Sequence, residues 1–235
     1  MFPAAAPRIS VIIPTLNEAQ TLPRTLQAVA QGENLEIIVA DGGSTDGTVG
    51  LATEQQVRVL AVEGGRAHQM NRGAATARGE ILLFLHADTL LPPEFDRHIR
   101  RTLSQPGVVA GAFALAIDAP DWGLRWVEWG VQLRSRWLQL PYGDQGLFMG
   151  VEVFRQLGGF PPIPIMEDFE LVRRLRRQGR VAIAPAQVLT SGRRWQTLGI
   201  LRTTLVNQVM ILAYGLGVNP HRLAEWYRRQ PVRRL

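Results

Sequence analysis

Four short runs of aliphatic and β-branched residues, ISVIIP (9–14), LEIIVA (35–40), VRVLAV (57–62) and ILLFL (81–85), recur along the first part of the chain, each separated from the next by a stretch suited to a helix. Strands that are apolar on both faces and alternate with helices call for an α/β fold, a mainly parallel Rossmann-like sheet flanked by helices. Between the first two runs Leu22, Leu26 and Val29 recur at helical spacing, and Pro23 fits that helix only in its first turn. DGGSTDGT (41–48) is a glycine-rich turn in which Asp46 is positioned as N-cap of a helix reaching about Gln55. Residues 64–79 read as a loop and helix feeding the most apolar strand, 81–85. Because ligands of open α/β sheets bind beyond the carboxyl ends of the strands, Asp41, His86 and Asp88 lie where a site is expected.

Downstream, the pattern predicts a strand at 108–117, a Trp-rich helix around 122–138, a loop PYGDQGLFMG (141–150), a helix over 167–178 and a strand at 180–184. Trp122, Trp126 and Trp129 fall at i, i+4 and i+7, the spacing of a core-facing stripe, although with Trp137 they equally suit stacking on a sugar or meeting lipid. A last long helix is expected over 197–216, apolar across 209–218 but too short and too polar to span a bilayer, followed by a short basic helix at 220–230. The organisation expected is a catalytic domain, 1–196, with a helical Arg-rich extension, 197–235, packed on it.

The chain has 235 residues, enough for one large α/β domain, and no cysteine, which excludes disulfides, thiolate nucleophiles and Cys-bound metal. MFPAAAPR lacks the features of a signal peptide, so the cytoplasm is the expected compartment. All 26 basic residues are Arg, and the absence of Lys rules out a Walker A loop and a pyridoxal Schiff base. From Arg173 onward there are 13 Arg against Glu225 alone, so the C-terminal third is suited to phosphate, on a substrate or an anionic membrane surface, or to nothing more than solvent. No groove-reading motif accompanies that charge, and nucleic acid is not expected as a partner.

VIIPTLNE, DGGSTDGT, NRGAATARGEILLFLHADT and GGFPPIPIMEDFELVRRLRRQG occur in that order over about residues 9–185. In kind, order and spacing they resemble the inverting glycosyltransferases of family 2, which have the A-type nucleotide-sugar fold, and GDQGLF and SGRRW resemble a bacterial branch of it. The resemblance implies a nucleotide-sugar site. Pro14, Thr15, Asn17 and Glu18 would cradle base and ribose, Asn17 or Thr21 being alternatively a helix cap. Asp41 would read the base, with Gly43 and Ser44 letting backbone approach it. Arg66 and Arg72 match places near the diphosphate, Arg72 being preferred for its neighbours Asn71 and Gly73. Ala87, Asp144, Gln145, Arg193 and Arg194 complete the expected donor set.

The family's Asp-x-Asp metal motif reads His86-Ala87-Asp88 here. Asp88 keeps the position that would bind Mg²⁺ or Mn²⁺ between the phosphates, an ion arriving chiefly with the nucleotide. His86 as a weak ligand would tilt the choice towards Mn²⁺, and it equally reads as a strand-end histidine bonded to backbone or ribose. Glu167-Asp168 resembles the acidic pair holding the catalytic base, Asp168 being the base; the competing reading is a pair that stabilises a helix N-terminus.

These implications make a metal-assisted, inverting hexosyltransferase, with UDP ahead of GDP and a small-molecule or lipid-like acceptor carrying a hydroxyl or carboxyl. Two alternatives compete: a catalytically silent binding protein at the membrane, favoured by the His86 departure, and a sugar nucleotidyltransferase, disfavoured by VIIPTLNE and the absence of Lys.

Overall fold

The computed structural model describes residues 6–229; the start of MFPAAAPR and the end of the Arg-rich extension, with Arg233 and Arg234, lie outside the described residues. The chain opens with β1 (Ile9–Thr15), α1 (Leu22–Val29), β2 (Leu35–Asp41), α2 (Thr48–Glu54), β3 (Arg58–Ala61), α3 (Arg66–Thr76) and β4 (Ile81–Phe84). It continues with β5 (Thr89–Leu90), α4 (Phe95–Leu103), β6 (Val108–Asp118), α5 (Gly123–Trp137), a 3-10 turn (Gly143–Gln145), β7 (Leu147–Gly150), α6 (Val151–Gln156), α7 (Glu167–Gln178) and β8 (Arg180–Ser191). Three helices close it: α8 (Arg193–Leu198), α9 (Ile200–Gly215) and α10 (Pro220–Arg228).

The strands form one sheet in the order β3-β2-β1-β4-β7-β6-β8-β5. The first four are parallel, as their two-sided apolar sequences require, and β7 enters antiparallel to both β4 and β6. The order of the parallel strands turns back at β1, which pairs with β2 on one side and β4 on the other. That switch point opens a crevice at the carboxyl edge. Register carries Thr15 beside Asp41 there, and Leu85 continues from β4 by donating its N–H to Ile12.

Alternation along β1 builds two cores. Ile9, Val11 and Ile13 join Leu22, Leu26, Phe95 and Ile99 beneath one face, and Ile12 joins Met70, Phe84, Phe160 and Leu171 beneath the other. Pro23 occupies the first turn of α1, as its fixed φ requires. At α2 the cap position passes to Gly47 (φ 92°), which tolerates left-handed backbone; the Asp46 carboxylate still accepts from the N–H and the hydroxyl of Thr48.

Two expectations are corrected here. The helix foreseen over 197–216 is divided at Gly199, whose φ of 85° ends α8 and starts α9 in a new direction. The tryptophan stripe of α5 is not core: Trp122, Trp126, Trp129 and Trp137 are 76%, 66%, 59% and 79% exposed. The periodicity was sound but marked the outer face, because Leu124, Val127 and Val131 supply the inner one. α9 and α10 pack on the catalytic core through Val206, Met210 and Leu223, which meet Met166, Ile165 and Phe169.

Candidate active site

Two adjoining cavities open at the carboxyl edge of β1 and β4. The larger, about 450 Å³, runs from Thr15 and Glu18 past Gly64-Gly65 to Asp88 and Glu167. The smaller, about 170 Å³, lies between Asp144, Asp168 and the apolar groups Ile165, Phe169, Met210 and Ile211. Arg66 and His86 line both.

Arg66 is the junction. It opens α3 after Gly64 and Gly65, both at positive φ; the first turn of α3 has no side-chain cap, and Gly64 to Ala67 line the larger cavity. The Arg66 Nε–H donates to Oε1 of Glu167, a carboxylate only 2% exposed, and a terminal nitrogen of Arg66 lies 3.4 Å from His86 Nε2. Burial works against the Arg66 charge, but Glu167 and Asp168 outweigh it and keep the guanidinium ionised. Burial, then the Arg66 charge, pushes His86 down to about 4, leaving the imidazole neutral at physiological pH.

Asp168 sits on the smaller cavity. Its Oδ2 accepts from the Gly143 N–H at 2.8 Å and its Oδ1 from the Phe169 N–H at 2.7 Å, which fixes the carboxylate at the start of α7. Met166, in left-handed backbone (φ 68°), makes the turn that presents Glu167 to one cavity and Asp168 to the other. Glu167 is thereby the partner of Arg66 and faces the larger cavity, which Asp168 does not line. Asp144 shares the smaller cavity, and burial raises its carboxyl to about 6, Arg134 opposing and Asp168 reinforcing the shift. Oε2 of Glu167 and Oδ1 of Asp144 are buried without a hydrogen-bond partner.

At the other end, Asp41 is 3% exposed and its carboxylate is engaged fourfold, by the Gly43 and Ser44 N–H groups and the Thr15 and Ser44 hydroxyls. Burial raises its pKa, yet these bonds outweigh that and hold it below the usual carboxylate range. Asn17 joins the same loop: its N–H donates to Ser44 and its side-chain oxygen accepts from the Thr45 N–H, so it ties two strand ends together instead of capping α1. Thr21 occupies the cap position without a capping bond, its hydroxyl donating to Glu18. Pro14 and Ala87 line the larger cavity as expected of the donor set.

Three further residues depart from expectation. Arg72 is exposed on α3 and lines neither cavity, whereas Arg66 lines both. Gln145 is fully buried and clamps the 141–150 loop, donating to the Phe113 carbonyl and accepting from Ser135 and the Tyr142 N–H. Arg194 lines neither cavity itself and lies 4.0 Å over the ring of Tyr227, which lines the smaller one. Arg193 does reach the cleft: one nitrogen donates to Glu18 at 2.9 Å and to Asp88 at 3.1 Å.

Sequence reasoning also missed Gln69, which donates to the carbonyls of Thr15 and Ala40 and pins β1 to β2, and Tyr227 and Arg228, which come from α10 to the two cavities. The basic C-terminal third was the one signal of the last pair. Among the described residues no cluster of three or more His, Cys, Asp or Glu surrounds a metal position. The donor set nevertheless fits a divalent ion held jointly with a diphosphate: the Asp88 carboxylate already attracts a guanidinium, and His86 is a neutral imidazole.

The larger cavity lies at the switch point of the mixed α/β sheet, where open α/β folds bind their ligands. The chain belongs to glycosyl transferase family 2, whose profile matches residues 10–154. Over 96 residues it is 41% identical to a PGL/p-HBAD biosynthesis glycosyltransferase of Mycobacterium tuberculosis, a match covering 37% of this chain and 38% of the relative. A second glycosyltransferase of that organism is 34% identical over 126 residues, 48% of this chain and 47% of the relative. The matched segments thus span less than half of these relatives. Among solved structures, a mannosyltransferase of Pyrobaculum calidifontis in complex with GDP-Man and Mn²⁺ superposes with a TM-score of 0.65 at 23% identity, covering 98% of this chain and 67% of that one. S. aureus TarS 1–349 in complex with UDP gives 0.64 at 17% identity, covering 78% and 60%.

Proposed function

We propose that this domain transfers a hexosyl group, with inversion, from a nucleoside-diphosphate sugar to an oxygen of an acceptor that has an apolar body. The observation that carries the reading is the junction at Arg66 and His86, where a donor-sized cavity meets a smaller one holding Asp168. The nucleoside lies against Thr15 and Glu18, and the diphosphate meets the first turn of α3 with Arg66 and Arg228. Asp41, the candidate base reader, is buried and lines neither cavity; displacement of the Ser44 hydroxyl from it would free one acceptor site for the imide N–H of uracil, and on that ground UDP is placed ahead of GDP, whose base Asp41 would also suit.

In the transfer the acceptor oxygen bonds to the anomeric carbon as the bond from that carbon to the diphosphate oxygen breaks. The acceptor hydroxyl proton passes to the Asp168 carboxylate, and the nucleoside diphosphate leaves with its electron pair. Arg66 stabilises the charge that develops on it. The orphaned Glu167 Oε2 is placed to accept from a donor-sugar hydroxyl, and Asp144 from the acceptor. A Mg²⁺ or Mn²⁺ ion, held by Asp88 and His86 with the phosphates, would supply further charge neutralisation. Ile165, Phe169, Met210 and Ile211 favour an acceptor with hydrocarbon next to its reacting group.

Calorimetric titration with UDP, GDP and their sugar conjugates, with and without Mn²⁺, tests the donor. Asp168→Asn is expected to bind donor within about threefold of wild type while losing at least 10³-fold in turnover. Undiminished turnover in that variant refutes Asp168 as base.

A further inference from the structure

We propose that the outer faces of α5 and α9 form one surface that docks in the interfacial layer of an anionic lipid bilayer. Both helices bury one side and leave an apolar stripe on the opposite side. On α5 the outer residues are Trp122, Trp126, Trp129, Leu133 and Trp137, all between 44% and 79% exposed. At 100° per residue they fall within an arc of about 80°, opposite the packed Leu124, Val127 and Val131. On α9 the outer residues Leu201, Leu205, Val209, Leu212 and Leu216, between 40% and 87% exposed, also occupy an arc of about 80°, opposite the buried Thr203, Val206 and Met210.

The two helices touch where they begin: a Cβ built on Gly123 would come within 3.0 Å of Ile200 Cδ1. Ten large apolar side chains on two adjoining helices far exceed the scattered exposure normal for a soluble surface.

The chemistry of the stripe selects lipid over a protein partner. Four of its members are tryptophans, whose indole carries an apolar body and an N–H donor, the combination that settles at headgroup depth. At 15 and 16 residues the helices are too short to cross a bilayer, and no helix among the described residues is long and apolar enough to do so. They suit a position parallel to the surface. Charge complements an anionic headgroup layer. Setting aside Arg193, Arg194 and Arg228, which are engaged at the cleft or with Tyr227, residues 193–229 still present exposed Arg202, Arg222 and Arg229 against Glu225 as the one acid, and exposed Arg136 adjoins the α5 stripe. The single acid of α5, Glu128, is turned inward to accept from the Ile117 N–H.

Docking has a consequence for the acceptor, and this step rests on the transfer reading whereas docking does not. The flank of α9 that carries Asn207, Met210 and Ile211 lines the cavity beside Asp168. One helix diameter, about 10 Å, therefore separates that cavity from the proposed lipid layer. An acceptor anchored in the membrane by its hydrocarbon is within reach.

The test is co-sedimentation of the full chain with phosphatidylcholine vesicles and with vesicles containing about 30% phosphatidylglycerol, with tryptophan emission read in parallel. Wild type is expected to bind the anionic vesicles at least tenfold more tightly and to shift its emission to shorter wavelength. Trp126→Gln with Leu205→Gln should lose at least tenfold in binding while keeping its melting temperature and nucleotide affinity, which separates failure of docking from failure of the transfer reading. Absence of wild-type binding to the anionic vesicles, or unchanged binding by the variant, overturns the proposal. So does a wild-type dimer in sedimentation equilibrium that the same substitutions dissociate, since a second copy would then be the occupant.

Discussion

Removing the Arg66 side chain strands the Glu167 carboxylate, 2% exposed, without the guanidinium that bonds it. Breaking a buried pair from one side costs about 3–5 kcal/mol; because the Arg66 side chain is 42% exposed, water screens the pair and about 2–3 kcal/mol is expected for Arg66→Ala. For a chain of this size that lowers the melting temperature by roughly 5–10 °C. Glu167→Gln removes the charge instead of stranding it and should cost only about 1 kcal/mol. In the double variant nothing is stranded, so the total should fall short of the sum of the singles by at least about 1 kcal/mol. Urea denaturation of the four proteins gives the cycle, and nucleotide titration adds a second axis, since Arg66→Ala alone is expected to lose diphosphate affinity by more than tenfold. Additivity within about 0.5 kcal/mol would refute the coupling from which the two cavities take their shared wall.

Two more predictions follow from buried carboxylates. Asp144, raised to about 6 from an ordinary 3.8 by burial, binds its proton more tightly in the folded protein, so its contribution is most favourable below about pH 4 and is lost as pH rises through 6. Asp144→Asn should therefore melt higher than wild type at pH 7.5, by an amount of order 2 kcal/mol, and show no such advantage at pH 4; a difference that stays constant with pH argues against the shift. Asp41→Ala strands the Gly43 and Ser44 N–H groups and the Thr15 hydroxyl, and is expected to cost about 2–4 kcal/mol in urea denaturation and to abolish nucleotide binding. Retention of wild-type nucleotide affinity would remove Asp41 from the organisation of the site.

What the sequence made legible was whatever local chemistry encodes. The β1, β2 and β4 runs are apolar on both faces, so their burial and the position of Thr15, Asp41 and Asp88 at their ends could be read directly. Helix α7 was readable from its acidic first turn and basic last turn. The roles that escaped depend on partners distant in sequence. Glu167 meets Arg66 across 101 positions, and Gln145 is drawn into the protein by the carbonyl of Phe113. Spacing showed that the tryptophans of α5 share a face, but an i, i+4, i+7 pattern is the same on either side of a helix, and Leu124, Val127 and Val131 provided the competing stripe. Gly199 was passed over because one glycine in a helical pattern is tolerable unless its φ turns positive, as it does here.

His86 stands where the family motif has a carboxylate, beside one cation, Arg66, and within the influence of two acids, Asp88 and Asp168. A second carboxylate at that position would meet the Arg66 guanidinium and compete with Glu167 and Asp168 for it, whereas a neutral imidazole leaves those two acids as its partners. Asp88 is meanwhile balanced by Arg193, which spans Asp88 and Glu18 with one nitrogen. A diphosphate entering this cleft brings the negative charge that the motif lacks and gives Arg193 a new anion to face. On the proposed transfer reading, a cation would find its full set of ligands only with nucleotide bound, so ion affinity measured on the protein alone should be weak and should rise with donor bound.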